Sequence, residues 1–160
     1  MAAFLKIDGI GGEAHEDNHK DWIDILSFSA GITQPVSAAG RTGGRTNSVA
    51  EFQHVCINKV MDKSTPNLAL YCSNGQHIPK AEIEFVLDSE EKHVYMKYTL
   101  SDVIISSYNI NASFPGDDRP SEGICLAFGK IEQEYKPIDK TGKGGASFKS
   151  GWDLEAGKKV

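Results

Sequence analysis

From Lys80 to Tyr135 the chain alternates between apolar and polar residues almost without pause, and this restricts the fold more than any other stretch. In the run from Lys80 to Asp88, Ala81, Ile83, Phe85 and Leu87 fall on one side, against Glu82, Glu84 and Asp88 on the other. A period of two is what a strand with one buried face requires. Ser89-Glu90-Glu91-Lys92 makes a polar turn into a second alternating run, with Val94, Met96, Tyr98 and Leu100 facing one way. Ser101-Asp102 predicts a bulge or break, after which strand continues from Val103 to Asn111. Pro115-Gly116-Asp117-Asp118-Arg119-Pro120 is a dense turn signal. Ile124 to Tyr135 is the last clear strand, with Leu126 and Phe128 inward.

The first half of the chain reads the same way with longer interruptions. A strand is predicted over Ala3 to Asp8, then a loop from Gly9 to Lys20 rich in glycine, acids and histidine. A second strand, Trp22 to Gln34, puts Leu26, Phe28, Ala30 and Ile32 on one side and Ile23, Ile25, Ser27 and Ser29 on the other. Pro35 to Ser48 has no apolar periodicity and predicts a long exposed loop. A third strand covers Val49 to Val60, with Val55 and Ile57 on one face.

Asp62 to Gly75 alone reads as helix. Thr65 can serve as N-cap with Pro66 just inside, and Asn74-Gly75 offers a left-handed stop. Leu68, Tyr71 and Cys72 give it a narrow apolar face, and a helix this short needs a larger partner to hold it. The pattern therefore predicts an all-β fold with one short α-helix: an antiparallel barrel or sandwich of two packed sheets, the helix on its flank. With 160 residues the chain supports one domain. Residues 1–136 form the expected core. The tail from Pro137 to Val160, carrying Phe148 and Trp152, is expected to dock on the barrel or on a neighbour.

A net charge of −5 argues against nucleic acid as a partner. No apolar run reaches membrane-spanning length. The start, Met1-Ala2-Ala3-Phe4-Leu5-Lys6, has no basic segment followed by an apolar block, so no signal peptide is expected. Cys56, Cys72 and Cys125 lack metal-type spacing. They are expected as three separate, half-buried residues of a chain made in a reducing cytoplasm. Asn111-Ala112-Ser113 matches a glycosylation sequon, expected to stay unmodified without a signal peptide.

Chemical signatures are sparse. Gly40-Arg41-Thr42-Gly43-Gly44-Arg45-Thr46 lacks the lysine and the following helix of a phosphate-binding loop. His15-Glu16-Asp17-Asn18-His19 has ligand-type residues but no helix to align the histidines, so a solvated loop is expected, with no metal. His54 and Cys56 share a strand face, yet no cleft or third group accompanies them. No catalytic residue, metal or cofactor is assigned.

Asp62-Lys63-Ser64-Thr65-Pro66-Asn67-Leu68, followed by Cys72-Ser73-Asn74-Gly75-Gln76-His77, resembles the helix region of the hemolysin-coregulated proteins, the tube subunits of bacterial type VI secretion systems. Phe4-Leu5-Lys6-Ile7 with Gly9, Gly12 and Glu13 is similar to that family's opening strand and turn, and Ile23 to Ser29 to its second strand. Ile105-Ser106-Ser107-Tyr108, Glu122, Leu126, Phe128, Tyr135 and Gly151-Trp152-Asp153 extend the likeness over nearly the whole chain, in order.

The resemblance implies a barrel-like subunit with a flanking helix. Six subunits would close head-to-tail into a ring with a wide channel, and rings would stack into a tube that a contractile sheath expels behind a spike. It also implies effector proteins bound in the channel and export to the medium or a target cell. The loop residues Ser37, Ala38, Gly40, Arg41, Thr42, Gly43, Gly44 and Arg45 are candidates for ring stacking, with Arg41 and Arg45 able to pair with Asp117 and Asp118 of the next ring. Ser27 and Ser29, small and polar, are candidates for the channel wall. The alternatives are a monomeric ligand-binding β-barrel gated by the glycine-rich loop, and an enzyme built on His54 and Cys56 or on His15 and His19.

Overall fold

The structure, a computed structural model, describes residues 1–36, 49–116 and 118–160. Its elements in chain order are β1 (Ala2–Ile7), β2 (Ile23–Asp24), β3 (Ser27–Ser29), β4 (Ile32–Thr33), β5 (Glu51–Phe52), β6 (Val55–Val60), α1 (Thr65–Asn74), β7 (Ile78–Val86), β8 (Val94–Asn111), β9 (Ser121–Tyr135), β10 (Phe148–Asp153) and β11 (Lys158–Lys159). Every pairing is antiparallel. The main sheet runs β11-β10-β9-β8-β7-β1-β2, and β6 branches from β9 and carries β3; β4 and β5 form a separate pair. This is the expected all-β class with one helix.

The long strands β8 and β9 organise the rest. The first part of β8 lies between β7 and β9, while β9 pairs with β6 over Ser121 to Leu126 and with β10 over Lys130 to Tyr135. The break expected at Ser101-Asp102 is a single left-handed residue, Asp102 (φ 53°), inside a continuous strand. A register shift follows between Ile105 and Ser107. Leu5, Ile23, Val55, Ile57, Ile83, Leu100, Ile105, Ile124 and Leu126 all point into one core.

The second predicted strand is not continuous. Ile23 and Asp24 pair with β1, the chain bends at Leu26, and Ser27 to Ser29 pair with β6. Ile25 N–H donates to Ala3 O and Leu26 N–H to Asn58 O, so the run changes partner at the bend. That bend also breaks the parity: Ile23 and Ile25 face the core before it and Phe28 after it, while Leu26 and Ile32, expected beside Phe28, are exposed. The third predicted strand is likewise split, into β5 and β6.

The helix has the expected length, but its N-cap is Ser64. Thr65 is occupied elsewhere: its hydroxyl accepts the Asp62 N–H at 3.1 Å and donates to Glu122 Oε1 at 2.7 Å. Gly75 ends the helix at φ 65°, a conformation that glycine adopts without a Cβ penalty. Leu68 is fully buried, Tyr71 and Cys72 pack against the core, and α1 lies along β8. Beyond residue 137, β10 runs beside the second half of β9 and turns into β11. Sequence periodicity misses this hairpin because Phe148, Lys149, Ser150 and Trp152 are all exposed.

Candidate functional site

Strand β6 presents opposite chemistry on its two faces. Val55, Ile57 and Lys59 point inward and are buried; His54, just before the strand, and Asn58 are exposed, with Cys56 half-buried between them. Pairing extends this outer face sideways, since Ser27 lies opposite Asn58 and Ser29 opposite Cys56 on β3. On the other side Cys56 lies opposite Cys125 and Asn58 opposite Gly123 of β9. Asn58 Nδ2 donates to Ser27 Oγ at 2.9 Å. His54 Nδ1 lies 2.8 Å from Ser106 Oγ, and that hydroxyl donates to Cys125 O at 3.2 Å. A Cβ on Gly123 would lie 2.8 Å from Asn109 Oδ1 and 2.9 Å from Asn58 Oδ1, so only glycine leaves both amides in place. The result is a patch of small hydroxyls and amides.

Cys56 and Cys125 form a disulfide across this face. The expectation of three separate cysteines is thereby corrected; Cys72 alone is free. The signal was present in the parity of each strand. Cys56 falls between inward Val55 and Ile57, and Cys125 between inward Ile124 and Leu126, which places both on one outer face. Their opposition across β6 and β9 is a long-range register that local periodicity does not give. Cross-linked, Cys56 is no free thiol for an enzyme built on His54.

Beneath the patch, the inner face of β6 carries a charged network centred on two buried groups. Lys59 and Glu122 are fully buried and paired through Lys59 Nζ and Glu122 Oε1. The same ammonium donates to Asp62 Oδ1 and to Val60 O, each at 2.9 Å. Tyr108 O–H donates to Glu122 Oε2 at 2.8 Å. Burial, followed by that hydrogen bond and the Glu122 charge, pushes the Tyr108 phenol up to about 12. Asp62 Oδ1 also accepts the Ser64 N–H at 2.8 Å. Each charged group thus meets several partners, the condition under which a buried ion pair is tolerated. The network fastens the start of α1 to β6 and β9.

The acidic loop departs from expectation at one residue. A 3-10 turn over Asp17–His19 folds His19 into the protein, where it is 1% exposed. Its ring stacks on Phe4 at 4.5 Å and meets the edge of Trp22 at 4.7 Å. Nδ1 faces Glu16 Oε2, and Nε2 lies 2.7 Å from Glu84 Oε2. Aromatic contacts and two carboxylates therefore hold a side chain expected to be solvated. Burial acts to raise the Glu16 carboxyl, but the His19 bond, the Asn18 N–H and the His19 and Lys92 charges hold it below its ordinary value. His15 stays exposed. Among the described residues, no group of three or more His, Cys, Asp or Glu is arranged to hold a metal ion.

Ser27 and Ser29 are thus placed together, exposed, on the outer patch. Ser37, Ala38, Gly40, Arg41, Thr42, Gly43, Gly44, Arg45 and the acidic partner Asp117 lie outside the described residues, while Asp118 is exposed. The base from which the 37–48 segment departs is described. There β4 and β5 stand apart from the main sheet, with Ile32, Val36 and Val49 exposed. Beside Ser27, a hollow of about 320 Å³ is lined by Met1, Ala3, Ile25, Leu26, Phe28 and Phe85. A second groove of about 540 Å³ crosses the β7–β10 face, where Lys97 pairs with Glu84 at 3.2 Å and Glu82 at 3.4 Å.

The sequence model of the family described as "Type VI secretion system effector, Hcp" matches residues 4–135, most of the chain and nearly all of its strands. The chain belongs to the Hcp family. Protein hcp1 of Pseudomonas aeruginosa is 35% identical over 153 residues, covering 94% of this chain and 93% of that protein. Among solved structures, one titled as a type six secretion system protein superposes with a TM-score of 0.95 at 31% identity, covering 99% of both chains. Hcp1 of Salmonella typhimurium gives 0.79 at 30% identity, again over 99% of both. An Hcp protein of the type VI secretion system is therefore the frame within which the outer patch and the β4–β5 pair have to be understood.

Proposed function

We propose that this chain is the structural subunit of a type VI secretion inner tube. Six copies close into a ring, rings stack through the 37–48 segment, and the lumen holds effector proteins for export by sheath and spike. The chain has no catalytic role in this reading. It is made in the bacterial cytoplasm and leaves the cell with the tube.

The observation that carries the assembly is the β4–β5 pair. A two-stranded ribbon needs packing to persist in water; Phe52 holds this one to the core beside Phe128, yet Ile32 54%, Val36 53% and Val49 86% stay exposed around it. Leu26 and Met1, 64% and 80% exposed, line the hollow beside Ser27. Apolar surface of this extent marks a contact with another molecule. A head-to-tail contact between identical subunits, closing on itself, gives a ring.

For the lumen, Ser27, Ser29 and Asn58 make a solvated patch without bulk, which leaves a bore open to varied cargo. Ser29→Gln should leave ring formation intact and reduce the amount of effector that co-purifies; undiminished retention rejects the lumen assignment. Deleting residues 41–45 should leave rings but shorten tubes in electron micrographs, and unchanged tube length rejects the stacking role.

A further inference from the structure

We propose that Cys56 and Cys125 form a reversible thiol–disulfide exchange site for small thiols and disulfides, one that clamps β6 to β9. The proposal does not rest on the tube reading.

Three observations carry it. The two residues lie directly opposite each other in the β6–β9 register, with Cα atoms 4.1 Å apart, and their sulfurs are joined across the two strands. Both are half-buried on the outer face, within the patch formed by Ser27, Ser29, Asn58 and Ser106, and neither packs into the core as Cys72 does. An incoming thiolate can therefore reach them, and access is what exchange needs. Finally, the bridge sits at a joint of the topology. Among the described residues β3 joins the main sheet only through β6, and β6 joins it through β9. Closing the bridge therefore adds a covalent tie to the β6–β9 ladder that holds the unit bearing Ser27 and Ser29. It also closes a span of 69 residues that includes α1, β7 and β8.

The step is ordinary exchange. The thiolate of one cysteine attacks a small disulfide such as oxidised glutathione, forming a mixed disulfide and releasing one glutathione thiolate. The second protein thiolate attacks that mixed disulfide, forming the Cys56–Cys125 bond and releasing the second. The two protons lost by the protein thiols go to the two leaving thiolates. The protein dithiol is oxidised by two electrons, and the small disulfide is reduced. Excess reduced glutathione runs the same steps backwards.

The test uses the full chain carrying Cys72→Ser, so that the pair supplies its only thiols, equilibrated without denaturant across glutathione buffers. After an acid quench, thiols are counted by maleimide mass-tagging in denaturant. Two thiols in reduced buffer, none in oxidised buffer and a single two-electron transition between them are expected. The melting midpoint of the oxidised form should be higher by about 10 °C, from loop closure over this span. Two thiols at every ratio, or a bond that opens only in denaturant, would overturn the proposal. Should Cys72→Ser fail to fold, peptide mapping of the wild-type chain reads the same transition: a Cys56–Cys125 cross-linked peptide that appears and disappears with the buffer supports it. Its absence from oxidised protein, or its persistence in reduced buffer, sinks it.

Discussion

Lys59 and Asn58 are neighbours on one strand and live in different solvents. Lys59, fully buried, points into a network with Glu122, Asp62 and a tyrosine; Asn58 points outward to Ser27. The inner side fixes where the helix sits relative to β6 and β9. The outer side is tied by the disulfide and by exposed hydrogen bonds that water can replace, and so is available to a partner. The difference teaches that in this fold charge is spent on architecture, while the candidate contact surface is built from small neutral groups.

The comparison breaks most visibly at Lys59. Lys59→Met leaves Glu122 and Asp62 without their cation and should destabilise the subunit by about 3–5 kcal/mol, the range for breaking a buried pair. Thermal unfolding should then fall by about 10 °C. The double variant Lys59→Met with Glu122→Leu should recover part of that loss, because the more deeply buried of the two uncompensated charges goes with it. If the single variant melts like the wild type, the network is not structural.

Tyr108→Phe should cost less, about 1–2 kcal/mol, since it removes one hydrogen bond to a buried carboxylate. The same residue gives an alkaline signature. Its folded value lies near 12, above the ordinary 10, so the unfolded chain loses its phenol proton first. Its contribution is therefore complete below pH 10 and is lost as the pH rises towards 12. In Tyr108→Phe that part of the alkaline loss should vanish from urea-unfolding midpoints measured across this range; an unchanged profile contradicts it.

On the acid side Glu16 has the opposite sign. Its carboxyl is held below the ordinary value of 4.5, so its contribution is present above that value and declines as the pH falls through the depressed one. His19→Gln should flatten this decline in unfolding midpoints between neutral and acidic pH. The smallest effect is expected on the outer face: Asn58→Ala should change stability by less than about 0.5 kcal/mol, because water replaces the lost bond to Ser27. A large loss there would dissolve the distinction between the two faces of β6.

Sequence periodicity was sufficient for the β class, the helix and most inward residues of β7, β8 and β9, because each depends on neighbours two to four residues away. Leu87 is an exception: it lies past the end of β7 and is exposed, while Val86 is buried after the register shift at Phe85. It failed where tertiary contacts outvote polarity. Lys59 continues the inward parity of Val55 and Ile57, but a lysine is not assigned to a core unless its carboxylate, 63 residues away, is known. His19 is hidden for the same reason, its second carboxylate lying 65 residues away on β7. The bend at Leu26 is a change of pairing partner from β1 to β6, which no local pattern encodes. In the candidate site, Ser27 and Ser29 could be named from their small polar side chains and the family resemblance, although parity groups them with Ile23 and Ile25, which the bend at Leu26 leaves facing the core. Asn58, Ser106, Gly123 and the disulfide could not, because they join the patch only through the β3–β6–β9 register.

In the proposed reading, the apolar edge at β4 and β5 and the solvated patch beside it serve a ring. Sedimentation velocity of the purified chain tests that most directly. The account predicts a species near six times the 17.4 kDa subunit mass, with ring profiles in negative stain. A single species at 17.4 kDa across the whole concentration range would contradict it.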